Sequence, residues 1–214
     1  MPIDPTAVDA LQQLTSAGIN QLAEKDPLLF ELIYREYERQ STTLSFIAAS
    51  SFASPDVLSC SGSVFGNLTT EGYPKQRYHS GCDIADALEE LAIERARTAF
   101  KARYANVQPH SGSGANQILF FSLLKPGDTV LGLDLVCGGH LTHGAPASVS
   151  GKYFKSIAYG LDESGLIDYG QVRELARMHR PKIIVCGASA YPRVIDFERF
   201  RDIADELAWI IREG

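Results

Sequence analysis

Three stretches of this 214-residue sequence gather side chains that can hold an anion or move protons. The first is Gln108-Pro109-His110-Ser111-Gly112-Ser113-Gly114-Ala115-Asn116, a Ser/Gly loop that opens an apolar run of helical length. Free N–H groups and the positive dipole end at a helix start attract anions, and glycine lets the backbone approach a phosphate. Ser111 and Ser113 add hydroxyl donors. The string is neither a Walker loop nor G-x-G-x-x-G, and an ordinary serine-capped strand–helix turn would read the same way.

The second stretch is Cys137-Gly138-Gly139-His140-Leu141-Thr142-His143-Gly144, placed directly after a β-rich run. Ligands of open α/β sheets gather at the carboxyl ends of strands. His140 and His143 have no carboxylate within four residues, so no metal is expected here. An imidazole face can instead stack on a flat aromatic cofactor, or both rings can simply bond loop carbonyls. The third stretch, Glu71-Gly72-Tyr73-Pro74-Lys75-Gln76-Arg77-Tyr78-His79-Ser80-Gly81, packs a carboxylate, two tyrosines, an arginine and a histidine into nine residues. A carboxylate in a closed site can serve as general acid or base; an exposed polar loop is the plainer reading.

The elements that must position these groups alternate in type. Residues 1–25 are weakly patterned and read as an arm. Asp26-Pro27 is an N-cap followed by proline, and Leu28, Leu29, Leu32 and Ile33 repeat at helical spacing through Pro27–Arg39. Residues 47–82 read as one long irregular stretch. Asp83 caps a helix whose stripe runs Ile84, Leu88, Leu91, Ala92, Ala96, Ala99 and Phe100. Beyond it come a short strand at Tyr104–Gln108, a helix over Gly114–Leu124 and a turn at Lys125–Asp128. Strands follow at Thr129–Leu133, Tyr153–Tyr159 and Lys182–Cys186. Asp168 caps a helix to about His179, and a last helix covers Phe197–Ile211. This alternation predicts an α/β domain with a largely parallel sheet.

Bulk properties narrow the setting. Twenty basic against 26 acidic residues give a net charge of −6, and the scattered Lys and Arg argue against nucleic-acid binding. The cysteines at 60, 82, 137 and 186 form no C-x-x-C pair and are too sparse for a disulfide framework, which points to a reducing cytoplasm. Neither a signal peptide nor an apolar run of about 20 residues is visible, so no membrane span is expected.

Taken together, Ala105-Asn106-Val107-Gln108-Pro109-His110-Ser111-Gly112-Ser113, Gly138–Gly144, Glu71-Gly72-Tyr73-Pro74 with Arg77-Tyr78, Lys125–Gly132 and Ser189-Ala190-Tyr191 resemble the serine hydroxymethyltransferase (glycine hydroxymethyltransferase) family. The resemblance covers about residues 29–207, the N-terminal portion of the family. It implies the large domain of a type I pyridoxal-phosphate (PLP) transferase, here incomplete, in a homodimer or tetramer that interconverts serine and glycine with tetrahydrofolate. An arm of residues 1–25 would precede a truncated large domain of residues 26–214.

By position, the resemblance makes Ser111, Gly112 and Ser113 part of the cradle for the cofactor phosphate, and His140 the imidazole that stacks on the pyridine ring. Ser189 corresponds to the residue that bonds the phenolic oxygen. Glu71 corresponds to the proton-shuttling carboxylate, which the family places across the dimer interface; with His140 it makes the catalytic pair. Leu135, Gly139 and Leu141 match folate-contacting positions, and Tyr78 and His79 match substrate-facing ones.

The sequence departs from the family inside this site. Ile47-Ala48-Ala49-Ser50-Ser51 stands where the family has Ile-Ala-Ser-Glu-Asn, so Ala49 lacks a hydroxyl. Thr69 and His79 replace tyrosines, each loss costing about 1–3 kcal/mol where a partner is left buried and unpaired. The family's Schiff-base lysine follows a Thr-His string, and none of the seven lysines here does. The expectation is a family enzyme whose 214-residue chain is inactive alone. A non-catalytic relative acting by subunit association is one alternative, and a related PLP aldolase or transaldolase is another.

Overall fold

The structure of the protein, a computed structural model, describes residues 4–212. Two compact units divide at Ser50/Ser51. In the first, helix α1 (Pro5–Lys25) starts where the Asp4 carboxylate accepts the Thr6 N–H with proline at N1, the geometry that satisfies a free helix-start donor. Asp26 then does two jobs. Its N–H donates to Leu22 O at 2.9 Å and closes α1, while its carboxylate accepts from Leu29 N at 3.0 Å and opens α2 (Pro27–Thr42). Within the stretch 1–25 read as an arm, Pro5–Lys25 is a helix, although neither α1 nor α2 buries a residue.

The second unit holds α3 (Pro55–Ser61), a two-residue hairpin of β1 (Gly72–Tyr73) and β2 (Gln76–Arg77), α4 (Asp83–Phe100) and α5 (Gly112–Leu123). They are followed by β3 (Thr129–Leu133), α6 (Val149–Tyr153), β4 (Lys155–Tyr159), α7 (Tyr169–His179), β5 (Ile183–Ile184) and α8 (Phe197–Arg212). β3 lies between β4 and β5, parallel to both, with Val130 opposite Ser156 and Ile183.

Side chains of a strand alternate faces, and β3 feeds two cores accordingly. Leu131 and Leu133 join Val172 and Ala176 of α7 and Phe200, Ile203 and Leu207 of α8. Val130 joins Phe120 and Leu124 from α5 and its end, with Phe154. A parallel sheet covered on both faces is the arrangement that such strands require. The α/β expectation is met in this coarse form: helices on a parallel sheet.

Several local expectations are corrected. Tyr104–Gln108 pairs with no strand among the described residues; Gln108 instead spends its side chain on Gly72 and Glu89. Cys82, not Asp83, sits at the cap position of α4, leaving Asp83 and Asp86 in its first turn. Residues 149–153 form α6 because Ser148 caps that turn, so the strand expected from Tyr153 starts at Lys155. The stretch 47–82 contains α3, a 3-10 turn at Val64–Asn67 and the hairpin.

Candidate functional site

Ser111 is fully extended (φ −157°, ψ 161°), and its Oγ accepts the Gly114 N–H at 3.0 Å, which nucleates α5 at Gly112. The first main-chain bond of the helix is Ala115 N to Ser111 O. The N–H groups of Gly112 and Ser113 therefore point out of the helix end without an intrahelical partner, and the Ser111 hydroxyl keeps its own hydrogen to donate. A Cβ built on Gly112 meets nothing within 4 Å. The space beside Gly112 is open.

The histidine loop rests on the sheet through glycines. Gly132 of β3 shares the Val130 face, and a Cβ there would lie 2.6 Å from His143 O. A Cβ on Gly139 would lie 2.1 Å from Leu133 O, and one on Gly144 2.5 Å from Ser156 Oγ. Each of these glycines exists to let two pieces of backbone, or backbone and Ser156, touch. Gly138 turns the chain at φ 96°, and its carbonyl accepts both the Ser189 and the Ala190 N–H at 2.9 Å. Ser189, itself exposed, is thereby tied to the histidine loop.

Within that loop a short 3-10 turn, Leu141–His143, is capped by the His140 ring: Nδ1 accepts the Thr142 N–H at 3.2 Å. The Thr142 hydroxyl is 2.8 Å from the same nitrogen, and Asn116 Nδ2 of α5 lies 2.7 Å from that hydroxyl. The start of α5 and the imidazole are thus joined through one buried threonine. The His140 N–H in turn donates to His143 Nδ1 at 3.3 Å. Burial, with the neighbouring His140 second, holds the His143 pKa below its ordinary value. Leu135, His140, His143 and Asp134 line one open pocket with Ser156, whose buried Oγ has no partner among the described residues; Leu141 is exposed and lies outside that lining.

Glu71 is held by its neighbours, not by its own carboxylate. The Arg77 guanidinium donates through Nη1 to Thr70 O and Gly72 O, both 2.8 Å, bracketing Glu71 on either side. Nε reaches Asp86 Oδ1 at 2.7 Å and Nη2 reaches Glu89 Oε2 at 2.6 Å. The Lys75 N–H, first, and Arg77 hold the Asp86 carboxyl below the usual range. Lys75 supplies that N–H from a left-handed turn (φ 65°). The Tyr78 N–H donates to Glu71 O at 3.1 Å, while its ring is exposed. His79 Nε2 stands 3.6 Å from Glu71 Oε2, and the Glu71 side chain is 70% exposed.

Gln108 connects the two regions. Its Nε2 donates to Gly72 O at 2.9 Å and Glu89 Oε1 at 2.8 Å. With His110 it lines both the cavity holding Glu71 and the one holding Ser111 and Gly114. Asn116, Thr142, Gln108 and Arg77 lie within the three strings, but the sequence assigns none of them a tethering role. A lone amide in the apolar run of α5 was the available signal for Asn116; nothing local marks Gln108 as a tether. Among the described residues, no three His, Cys, Asp or Glu converge as a metal would need.

A sequence profile described as serine hydroxymethyltransferase matches residues 22–212. A serine hydroxymethyltransferase from a Synechococcus strain is 55% identical over 187 residues, 87% of this chain and 43% of the relative. One from Nitratiruptor is 53% identical over 190 residues, 89% of this chain and 46% of the relative. One from Helicobacter pylori is 50% identical over 190 residues, again 89% and 46%. The chain spans less than half the length of these curated relatives.

Proposed function

The chain belongs to the serine hydroxymethyltransferase family, and on that premise we propose that it carries the cofactor-cradling portion of a PLP-dependent serine–glycine hydroxymethyltransferase. One observation carries the reading: a helix end with free donors, an open glycine and an imidazole loop are hydrogen-bonded to each other through Asn116 and Thr142. The residues present fit the cofactor. Gly112 N–H, Ser113 N–H and the Ser111 and Ser113 hydroxyls would hold its phosphate. His140 would stack on its ring, and Ser189 would donate to its phenolic oxygen. When bound, PLP supplies an electron sink for the α-carbon of the amino acid.

Glu71 is the residue proposed to hold and pass the proton of the substrate hydroxyl. The Glu71 side chain is 70% exposed, which supports an assembly in which a second subunit covers it and keeps water out. Exposed apolar side chains such as Leu28, Leu32 and Phe46 support a homo-oligomer as well. Tyr78 and His79 would face the amino-acid substrate, and Leu135, Gly139 and Leu141 the tetrahydrofolate. We read residues 1–25 as an arm ahead of a type I large domain in 26–214; the break between α1 and α2 at Asp26 supports that division. Four free thiols suit a reducing cytoplasm. No described helix is long and apolar enough to cross a membrane.

A second reading, a relative that acts by subunit association without catalysis, is favoured by one observation: among the described residues, no lysine lines the cavities that hold Glu71, Ser111 or His140. Titration of the 214-residue chain with PLP, followed by borohydride reduction and mass spectrometry, tests both. The expected result is saturable binding without a covalent adduct. An adduct on any of the seven lysines overturns the expectation of inactivity alone; absence of saturable binding favours the second reading.

A further inference from the structure

We propose that Thr142 and Asn116 are positioning residues that lock the His140 imidazole in its Nε2–H tautomer, so that the nitrogen left to meet a ligand is a hydrogen-bond donor. The proposal rests on the assignment of His140 to the cofactor site. Its force comes from the one group in the relay that has no choice of role. The Thr142 backbone N–H lies 3.2 Å from His140 Nδ1, and a backbone N–H only donates. Nδ1 therefore presents a lone pair, and the ring hydrogen of the neutral imidazole sits on Nε2.

Every other polarity follows. The Thr142 hydroxyl, 2.8 Å from the same nitrogen, has no hydrogen to accept there and so donates. With its hydrogen committed, Oγ1 can only accept from its third neighbour, and Asn116 offers Nδ2 at 2.7 Å. The orientation of the amide is thus fixed by the network and not by an atom label. The opposite tautomer would set an N–H against the Thr142 backbone N–H, the one neighbour that cannot turn round to accept. Thr142 is 5% exposed, and in such surroundings hydrogen bonds strengthen while mismatched donors become expensive.

The consequence is chemical. Among the described residues Nε2 has no hydrogen-bond partner, so the free edge of His140 selects an acceptor: a carboxylate, phenolate or carbonyl oxygen, not an ammonium or amide N–H. His143 repeats the device more weakly, since the His140 N–H reaches its Nδ1 only at 3.3 Å.

Long-range ¹H–¹⁵N spectra of the 214-residue chain, labelled at histidine and recorded above the imidazole titration range, read the tautomer directly. His140 is expected wholly in the Nε2–H form. Thr142→Val keeps the 3.2 Å backbone donor and removes the closer hydroxyl at 2.8 Å; with the stronger of the two bonds to Nδ1 gone, the two ring-nitrogen resonances are expected to draw toward each other as tautomers mix, and Thr142→Ser is expected to restore them. An Nδ1–H form in the wild-type chain, or unchanged His140 resonances in Thr142→Val, overturns the proposal. PLP added to the same samples separates the two claims. Loss of any His140 response to PLP, with the tautomer effects intact, sinks the cofactor assignment and leaves the lock standing.

Discussion

Arg77 Nη2 and Glu89 Oε2 meet at 2.6 Å with their side chains only 5% and 13% exposed, although they belong to a hairpin and to the middle of α4. The same guanidinium holds the two carbonyls that flank Glu71, so the pair does more than join two elements. It fixes the backbone on which the carboxylate rides.

Arg77→Ala should therefore lower the melting midpoint, by about 10 °C, because it leaves the Asp86 and Glu89 carboxylates half-buried without their cation, held only by the Lys75 N–H and the Gln108 amide. Arg77→Lys keeps the charge but cannot span two carboxylates and two carbonyls, and should recover less than half of the loss. A thermal melt followed by circular dichroism checks both; an unchanged midpoint for Arg77→Ala would show that the hairpin is held by something else.

Gly112→Ala separates folding from binding. No atom stands within 4 Å of the added Cβ, and alanine is a good helix former, so stability should stay within about 0.5 kcal/mol of wild type. PLP affinity, read by fluorescence quenching, should fall about tenfold as the methyl crowds the phosphate approach. Wild-type affinity in this variant would mean that the anion does not sit at the start of α5.

Gly139→Ala behaves in the opposite way. Its Cβ would press to 2.1 Å from the Leu133 carbonyl at the end of β3, so the loop or the strand must move. A stability loss of about 2–4 kcal/mol in urea is expected, together with a change in the His140 and His143 signals. A variant as stable as wild type would show that the loop has room to relax.

The pH dependence carries a sign. Burial lowers the folded-state pKa of His143 below its ordinary value near 6.5, so the folded state binds that proton less well than the unfolded one. Its contribution is present above the unfolded pKa and is lost as pH falls through the depressed folded value. Stability should decline below about pH 6.5, and His143→Asn should flatten that segment of the curve. The carboxylates of Asp86 and Glu206, lowered by hydrogen bonds to Lys75 N–H and the Arg77 guanidinium, and to Arg177, act at more acid pH. Urea midpoints from pH 8 to 5 decide the matter: equal slopes for wild type and variant would remove His143 from the account.

The sequence was most legible where a local rule and the tertiary structure agree. Asp168 caps α7 through the Gln171 N–H, as its position before an amphipathic run implied, and Thr129–Leu133 is a strand with both faces buried. It was least legible where side chains replace main-chain pairing. Tyr104–Gln108 has strand-like residues, yet its end is anchored by the Gln108 amide and stopped by a proline that cannot donate. The hairpin at 72–77 depends on Gly72 at φ 99° and on Lys75, a residue type that gives no warning of a left-handed turn. The strand read over Lys182–Cys186 shrinks to Ile183–Ile184, although the Val185 N–H still reaches Leu131 O. For the site, the three chemical strings were visible as strings. The links between them, Asn116 to Thr142 and Gln108 to Gly72, span 26 and 36 residues and leave no periodic trace.

A single oxygen holds the main chain at Ser189. Because the Gly138 carbonyl accepts both the Ser189 and the Ala190 N–H, these two amides share one lock inside an otherwise solvent-washed stretch. Deuterium should enter both at the same slow rate, and at the rate at which the Gly138–His140 turn itself opens. The hydroxyl and the imidazole then belong to one breathing unit: what loosens the ring's perch also releases the serine.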